Sequence, residues 1–160
     1  MKEVKIESIL YVFENLEELS EDVSMLMQKA VEAREKAYAP YSKFYVGAAL
    51  LLDNGEIVTG NNQENASYPS GLCAERTAIY YAGSQYPEAI VLRMAISAAS
   101  KRQTTTAPIP PCGACRQAIA EYEVKQEAPI EIYFMGEKGK IVKSRSLANL
   151  LPLVFDKSVL

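Results

Sequence analysis

Three cysteines and a complete absence of histidine set the chemistry open to this chain of 160 residues. Cys73 opens the run Cys73-Ala74-Glu75-Arg76. Cys112 and Cys115 lie in the run Pro111-Cys112-Gly113-Ala114-Cys115-Arg116. Three thiolates fill three corners of a zinc tetrahedron and leave the fourth to water, which is the arrangement of a hydrolytic rather than a closed structural site. Glu75, two residues from a thiol, is placed to exchange protons with that water without binding the metal. The bland alternative is a structural zinc closed by a carboxylate, since no fourth cysteine and no histidine exist to close it. The missing histidine also excludes Ser-His-Asp and Cys-His nucleophilic sites as they are usually built, and histidine-ligated metals with them.

Both cysteine runs fall at predicted helix starts. Free amides and the helix dipole there favour anions, so thiolates form at neutral pH. Gly113 is expected to let the backbone come close between Cys112 and Cys115. Three thiolates and a hydroxide outweigh the charge of one zinc ion, and electron-rich sulfur blunts the metal's power to acidify water. A positive group close by offsets this. Arg76 and Arg116 each adjoin a motif and are candidates to hydrogen-bond the sulfurs, surface ion pairs being their alternative.

The elements that must hold these residues read as one α/β domain, with residues 1–19 as an extension and residues 20–160 as the domain. Residues 4–13 are rich in β-branched and aromatic side chains and offer an extra edge strand or a frayed end. Ser20-Glu21-Asp22 supplies an N-cap and first-turn acids for a helix that Pro40 stops. Residues 44–52 form a near-continuous apolar run suited to a buried strand. Asp53-Asn54-Gly55 signals a two-residue hairpin into a return strand at residues 57–60. Helices begin at Cys73 and near Cys112, and strands are predicted at residues 90–97, 130–135 and 140–143. Ser146 caps a short helical turn. Alternating strands and helices predict a mixed sheet of about five strands with helices on both faces, in three layers, and a parallel strand pair around the second motif helix.

Composition sets limits on this reading. Apolar residues make up 49% and charged residues 23%, ordinary for a soluble globular protein. A net charge of −3 argues against a nucleic-acid partner. No apolar stretch is long enough for a bilayer, so no membrane partner is expected. The acidic opening residues lack a small-residue cleavage site, so they do not read as a secretory signal. Thiolate ligands favour a reducing compartment, and the chain is expected to be cytoplasmic.

The two motifs, Cys-Ala-Glu-Arg-Thr-Ala-Ile at residues 73–79 and Pro-Cys-Gly-Ala-Cys-Arg-Gln at residues 111–117, resemble those of the small homotetrameric cytidine deaminases. The likeness extends to Tyr-Ala-Pro-Tyr-Ser-Lys-Phe at residues 38–44, to Asn62-Gln63-Glu64-Asn65-Ala66, and to Leu150-Leu151-Pro152 with Phe155. It covers about residues 23–155 in order and leaves the residues before Ser20 without a counterpart. The resemblance implies the cytidine deaminase-like fold and hydrolytic deamination of cytidine and deoxycytidine in pyrimidine salvage. It implies one zinc on Cys73, Cys112 and Cys115, with hydroxide formed at the metal adding to C4 and Glu75 shuttling protons. Asn62 and Glu64 would bind the sugar, Phe44 would stack on the pyrimidine, and the Ala74 backbone would hold the base edge. Phe155 would reach a neighbouring subunit's site, so a homotetramer with shared active sites is implied. A deaminase of nucleoside antibiotics and a zinc-stabilised binding module are the rival readings of the same motifs.

Overall fold

The computed structural model describes all 160 residues. A single mixed sheet runs through it. Its strands are β1 (Tyr11–Phe13), β2 (Phe44–Leu52), β3 (Ile57–Asn61), β4 (Val91–Ser100), β5 (Glu131–Met135) and β6 (Ile141–Ser144), in the order β1-β6-β5-β4-β2-β3. Three helices flank it: α1 (Glu21–Glu35), α2 (Ala74–Gln85) and α3 (Gly113–Gln126). The sheet therefore has six strands where about five were predicted. The added one is β1, which pairs antiparallel with β6 at the outer edge. Only β4 and β5 run parallel, and α3 connects them, as expected for a strand–helix–strand unit.

Strand alternation builds two apolar layers. Ala48, Leu50 and Leu52 of β2, Met94 and Ile96 of β4, and Ile132 and Phe134 of β5 share one core with Ala78 and Ile79 of α2 and Ile119 of α3. Their neighbours Ala49, Ala95, Tyr133 and Met135 face the opposite way, onto Val23, Leu26, Met27 and Ala30 of α1. Both faces of the central strands are covered, which is why β2 reads as continuous apolar sequence rather than as an alternation.

Local signals account for most boundaries. Ser20 stands at the N-cap of α1, but its hydroxyl donates to the Asp22 carboxylate instead of accepting from a helix amide. The β2–β3 turn is a three-residue loop, not the two-residue hairpin predicted. The Leu52 amide donates to Glu56 O at 3.0 Å and the Gly55 amide to Leu52 O at 3.1 Å, with Gly55 at φ 86°. A left-handed glycine at the third loop position belongs to that longer turn. At Gly60 in β3 a Cβ would lie 2.5 Å from Ala78 N and 2.6 Å from Ala74 O. The missing side chain lets the first turn of α2 rest directly on the sheet, and that turn carries Cys73 and Glu75. No helix is long and apolar enough to cross a membrane.

Candidate active site

Cys73 and Cys112 are the N-cap residues of α2 and α3, and Cys115 lies in the first turn of α3. Helix starts on one face of the sheet thus bring two distant stretches of sequence together. Cys73 Sγ lies 3.9 Å from Cys112 Sγ, and Cys112 Sγ lies 3.5 Å from Cys115 Sγ. Zinc–sulfur bonds of about 2.3 Å on tetrahedral corners separate sulfurs by about 3.8 Å. The cluster therefore has the dimensions of one zinc site. All three ligand atoms lie within 4.8 Å of one another, and no carboxylate oxygen joins them. The donor set is sulfur alone, and Glu75 stands outside it.

The electrostatics of the cluster favour a thiolate at Cys73. A hydrogen bond from Cys115, then others from Arg76 and Cys112, pull the Cys73 thiol down to about 5 against the penalty of burial. Cys115, donating to Cys73 and buried, is pushed up. Of this hydrogen-bonded pair Cys73 is the thiolate and Cys115 the thiol, and a bound zinc would require the ligands to be deprotonated. Arg76 Nη2 donates to Cys73 Sγ at 3.7 Å, as expected of a cation that draws charge off the sulfur. Its Nε is buried without a partner.

Arg116 does something else. Its Nε donates to Pro111 O at 2.8 Å and its Nη1 to Leu150 O at 2.8 Å. The expected contact with a thiolate is replaced by a clamp on the main chain just before Cys112. Two carbonyls at the correct spread satisfy a planar guanidinium better than one diffuse sulfur. Gly113 faces no other element. A Cβ there would meet no atom of another segment within 4 Å.

Glu75 is 5% exposed. Burial raises its carboxyl to about 7, and the negative charge of Cys73 pushes in the same direction. A carboxyl balanced near neutrality both takes and gives a proton at little cost.

Beside Cys73 and Arg76 opens a cavity of about 500 Å³, whose further wall carries Asn62, Glu64, Tyr41 and Tyr68. The segment that holds Asn62 and Glu64 is stitched on both sides. Tyr38 N donates to Asn62 O at 3.0 Å and Glu64 N to Tyr38 O at 2.9 Å, while Gln63 and Leu72 exchange two backbone bonds. The Glu64 carboxylate takes the Tyr41 amide at 2.8 Å and the Ser42 amide at 3.3 Å, both on Oε2. Against a desolvation penalty, the Ser42 hydroxyl and these two amides hold it below the usual carboxylate range. Lys43, at φ 58°, makes the left-handed turn that leads this segment into β2. Asn62 accepts from Val46 N at 2.8 Å and donates to Phe44 O at 2.9 Å, so its carboxamide clasps the first residues of β2.

Of the site residues read from sequence, Asn62, Glu64, Cys73 and Arg76 line this cavity. Ala74 and Glu75 are buried in the first turn of α2. Phe44 is half-buried at the start of β2 and lies outside the cavity lining. Phe155 lies on the tail, 62% exposed, held by Gln117 Nε2 donating to its carbonyl at 2.7 Å. Tyr41, inside the run at residues 38–44, and Tyr68 carry no assigned role in the sequence reading. Their rings stand 6.2 Å apart on the cavity wall, and the only sequence signal for them is tyrosine beside each polar motif.

Residues 20–128 match the family model described as the cytidine and deoxycytidylate deaminase zinc-binding region. The chain is 44% identical over 134 residues to the cytidine deaminase of Halalkalibacterium halodurans, covering 84% of this chain and 94% of that one. It is 41% identical over 136 residues to that of Sporosarcina psychrophila, covering 85% and 93%. Among solved structures it is similar to cytidine deaminase from Burkholderia pseudomallei, with TM-score 0.71, 37% identity, and coverage of 86% of this chain and 100% of that one. It is also similar to the enzyme from Mycobacterium tuberculosis, with TM-score 0.65, 34% identity, and coverage of 85% and 98%.

Proposed function

The chain belongs to the cytidine and deoxycytidylate deaminase family, and from that premise we propose that it hydrolyses cytidine and 2′-deoxycytidine to the corresponding uridines with release of ammonia. The reaction would serve pyrimidine salvage in the cytoplasm. The observation that carries this reading is the cluster of three sulfurs with a buried carboxyl two residues from Cys73, the sulfur ligand that lines a cavity holding a second carboxylate, Glu64.

Cys73, Cys112 and Cys115 would hold the zinc, which when bound supplies a Lewis acid that lowers the pKa of water. Glu75 accepts a proton from the attacking water and delivers it to ring N3, which leaves C4 electron-poor. Water oxygen adds at C4, and Glu75 then carries the second water proton to the exocyclic nitrogen. The C4–N bond breaks, ammonia leaves, and the carboxyl ends as it began. A buried carboxyl with a value near 7 suits this double role. At the far wall, both amides bind Oε2 of Glu64, which leaves Oε1 for a sugar hydroxyl, with the spare Nδ2 hydrogen of Asn62 beside it. Binding energy gathered there orients the base over Glu75. Phe44 would stack on the pyrimidine and the Ala74 backbone would hold its edge. Phe155 would complete the site of a neighbouring copy in a homotetramer.

The test is to mix the purified chain with cytidine, follow ammonia, and assay zinc per chain in the same sample. Zinc-loaded Glu75→Gln should retain its metal and lose turnover by at least about 10²–10⁴-fold. Undiminished ammonia release from that variant, or none from a zinc-loaded parent, would overturn the reading.

A further inference from the structure

No main-chain hydrogen bond and no ion pair joins residues 152–160 to the domain, and Leu153, Val154 and Phe155 are all exposed. The hydrogen bond that does join them runs from Gln117 Nε2 to Phe155 O, at 2.7 Å. The residue before Gln117 holds the other end of the same segment. Arg116 Nη1 donates to Leu150 O at 2.8 Å, while its Nε donates to Pro111 O, also at 2.8 Å. Consecutive side chains of α3 thus grip residues 150 and 155, and both follow directly on Cys115.

The turn that carries these side chains has little support of its own. Cys112 stands at the N-cap of α3 and makes no capping hydrogen bond, where a serine or an aspartate would satisfy a free amide. Gly113 follows, and glycine has the most backbone freedom to lose. Cys112, Gly113 and Ala114 are all exposed. A zinc ion on Cys112 and Cys115 would staple the two ends of that turn and supply the restraint that the cap does not. With the turn open, Pro111 O and the side chains of Arg116 and Gln117 no longer share one frame. We propose that Arg116 and Gln117 are positioning residues that register the C-terminal segment, and Phe155 with it, against the metal ligands, so that closing Cys112 and Cys115 on the ion fixes the tail. The inference rests on the reading of these cysteines as zinc ligands and of Phe155 as part of a neighbouring site.

The chain has no tryptophan, so Val154→Trp gives a sole fluorophore next to Phe155. Met25→Trp, at an exposed position of α1 across the sheet, is its reference. The measurement is time-resolved fluorescence anisotropy of the full chain, zinc-loaded and chelated. In the Val154→Trp chain, removing zinc should raise the ratio of freely turning to held tryptophan about fivefold, the net worth of one hydrogen bond. The Met25→Trp chain should not respond. Adding Gln117→Ala to Val154→Trp should give the same rise with zinc still bound at the parent's stoichiometry, and chelation should then add nothing. Adding Arg116→Lys instead, which reaches one carbonyl but not both, should cut the response to zinc by about half or more. A tail indifferent to zinc, no rise with Gln117→Ala, a metal response undiminished by either substitution, or an equal rise in the Met25→Trp chain would each overturn the proposal. These readouts follow the tail and not turnover, whereas the proposed reaction fails on a zinc-loaded parent that releases no ammonia.

Discussion

Glu75 carries a cost that its proposed role explains. A carboxyl that ionises near 4.5 in the unfolded chain is raised to about 7 by burial in the fold. The folded state therefore binds its proton more tightly than the unfolded state between those values, so stability falls as pH rises through that window. The penalty is absent below about pH 4.5 and complete above about pH 7, where it amounts to about 3 kcal/mol. The Cys73 thiol, lowered from 9.0 to about 5, works in the opposite direction, gaining stability as pH rises. That gain is shared by the parent and a Glu75→Gln variant, except for the Cys73–Glu75 repulsion, which the substitution removes and which is part of the Glu75 penalty. Urea unfolding of the metal-stripped pair should show equal stability near about pH 4, with the Glu75→Gln variant more stable by about 3 kcal/mol near about pH 8. Parallel pH profiles would show that Glu75 is not desolvated.

At the scale of elements, the site depends on how closely two helix starts approach the sheet. Gly60→Ala would drive a methyl group into main-chain atoms of Ala74 and Ala78, which cannot move without shifting the first turn of α2. Overpacking of this kind costs about 1–3 kcal/mol, and it should also speed zinc loss because Cys73 rides on that turn. Gly113→Ala meets open space and should be neutral, or stabilising by up to about 1 kcal/mol through helix propensity. Calorimetry and chelator-driven zinc release on the two variants separate a glycine demanded by packing from one that is not. The contrast also marks what the sequence could tell. Spacing and residue type were enough to bring Cys73, Cys112 and Cys115 together, because metal chemistry limits which residues can serve. Hydrophobic runs and turn residues located nearly every strand and helix. The partner of Arg116 was misread because it depends on what another segment brings near. Leu150 O captures the guanidinium of Arg116 from 34 residues away, and no motif encodes that distance. Tyr41 and Tyr68 could not be given a role from sequence for the same reason. They meet only once the chain has turned at Lys43 and residues 62–64 are stitched between Tyr38 and Leu72.

At the scale of the whole molecule, the exposed apolar tail needs an explanation. Leu153 is 80% exposed and Phe155 62%, although the carbonyl of Phe155 is held by Gln117 on α3. A tail anchored at its backbone with its ring in solvent leaves that ring accessible to a neighbouring copy, as proposed above. Delivery to a neighbouring copy's site predicts complementation between two crippled chains. Glu75→Ala lacks the proton carrier but still donates Phe155, whereas Phe155→Ala keeps the carrier and donates nothing. In an oligomer reassembled from equal amounts, a site is complete when its own chain supplies Glu75 and its neighbour supplies Phe155. Random assortment makes about one site in four complete. Cytidine turnover of the mixture should therefore rise towards about a quarter of the parent rate, well above the mean of the two variants assayed apart. A mixture no faster than that mean, in hetero-oligomers verified by mass, would confine Phe155 to its own chain.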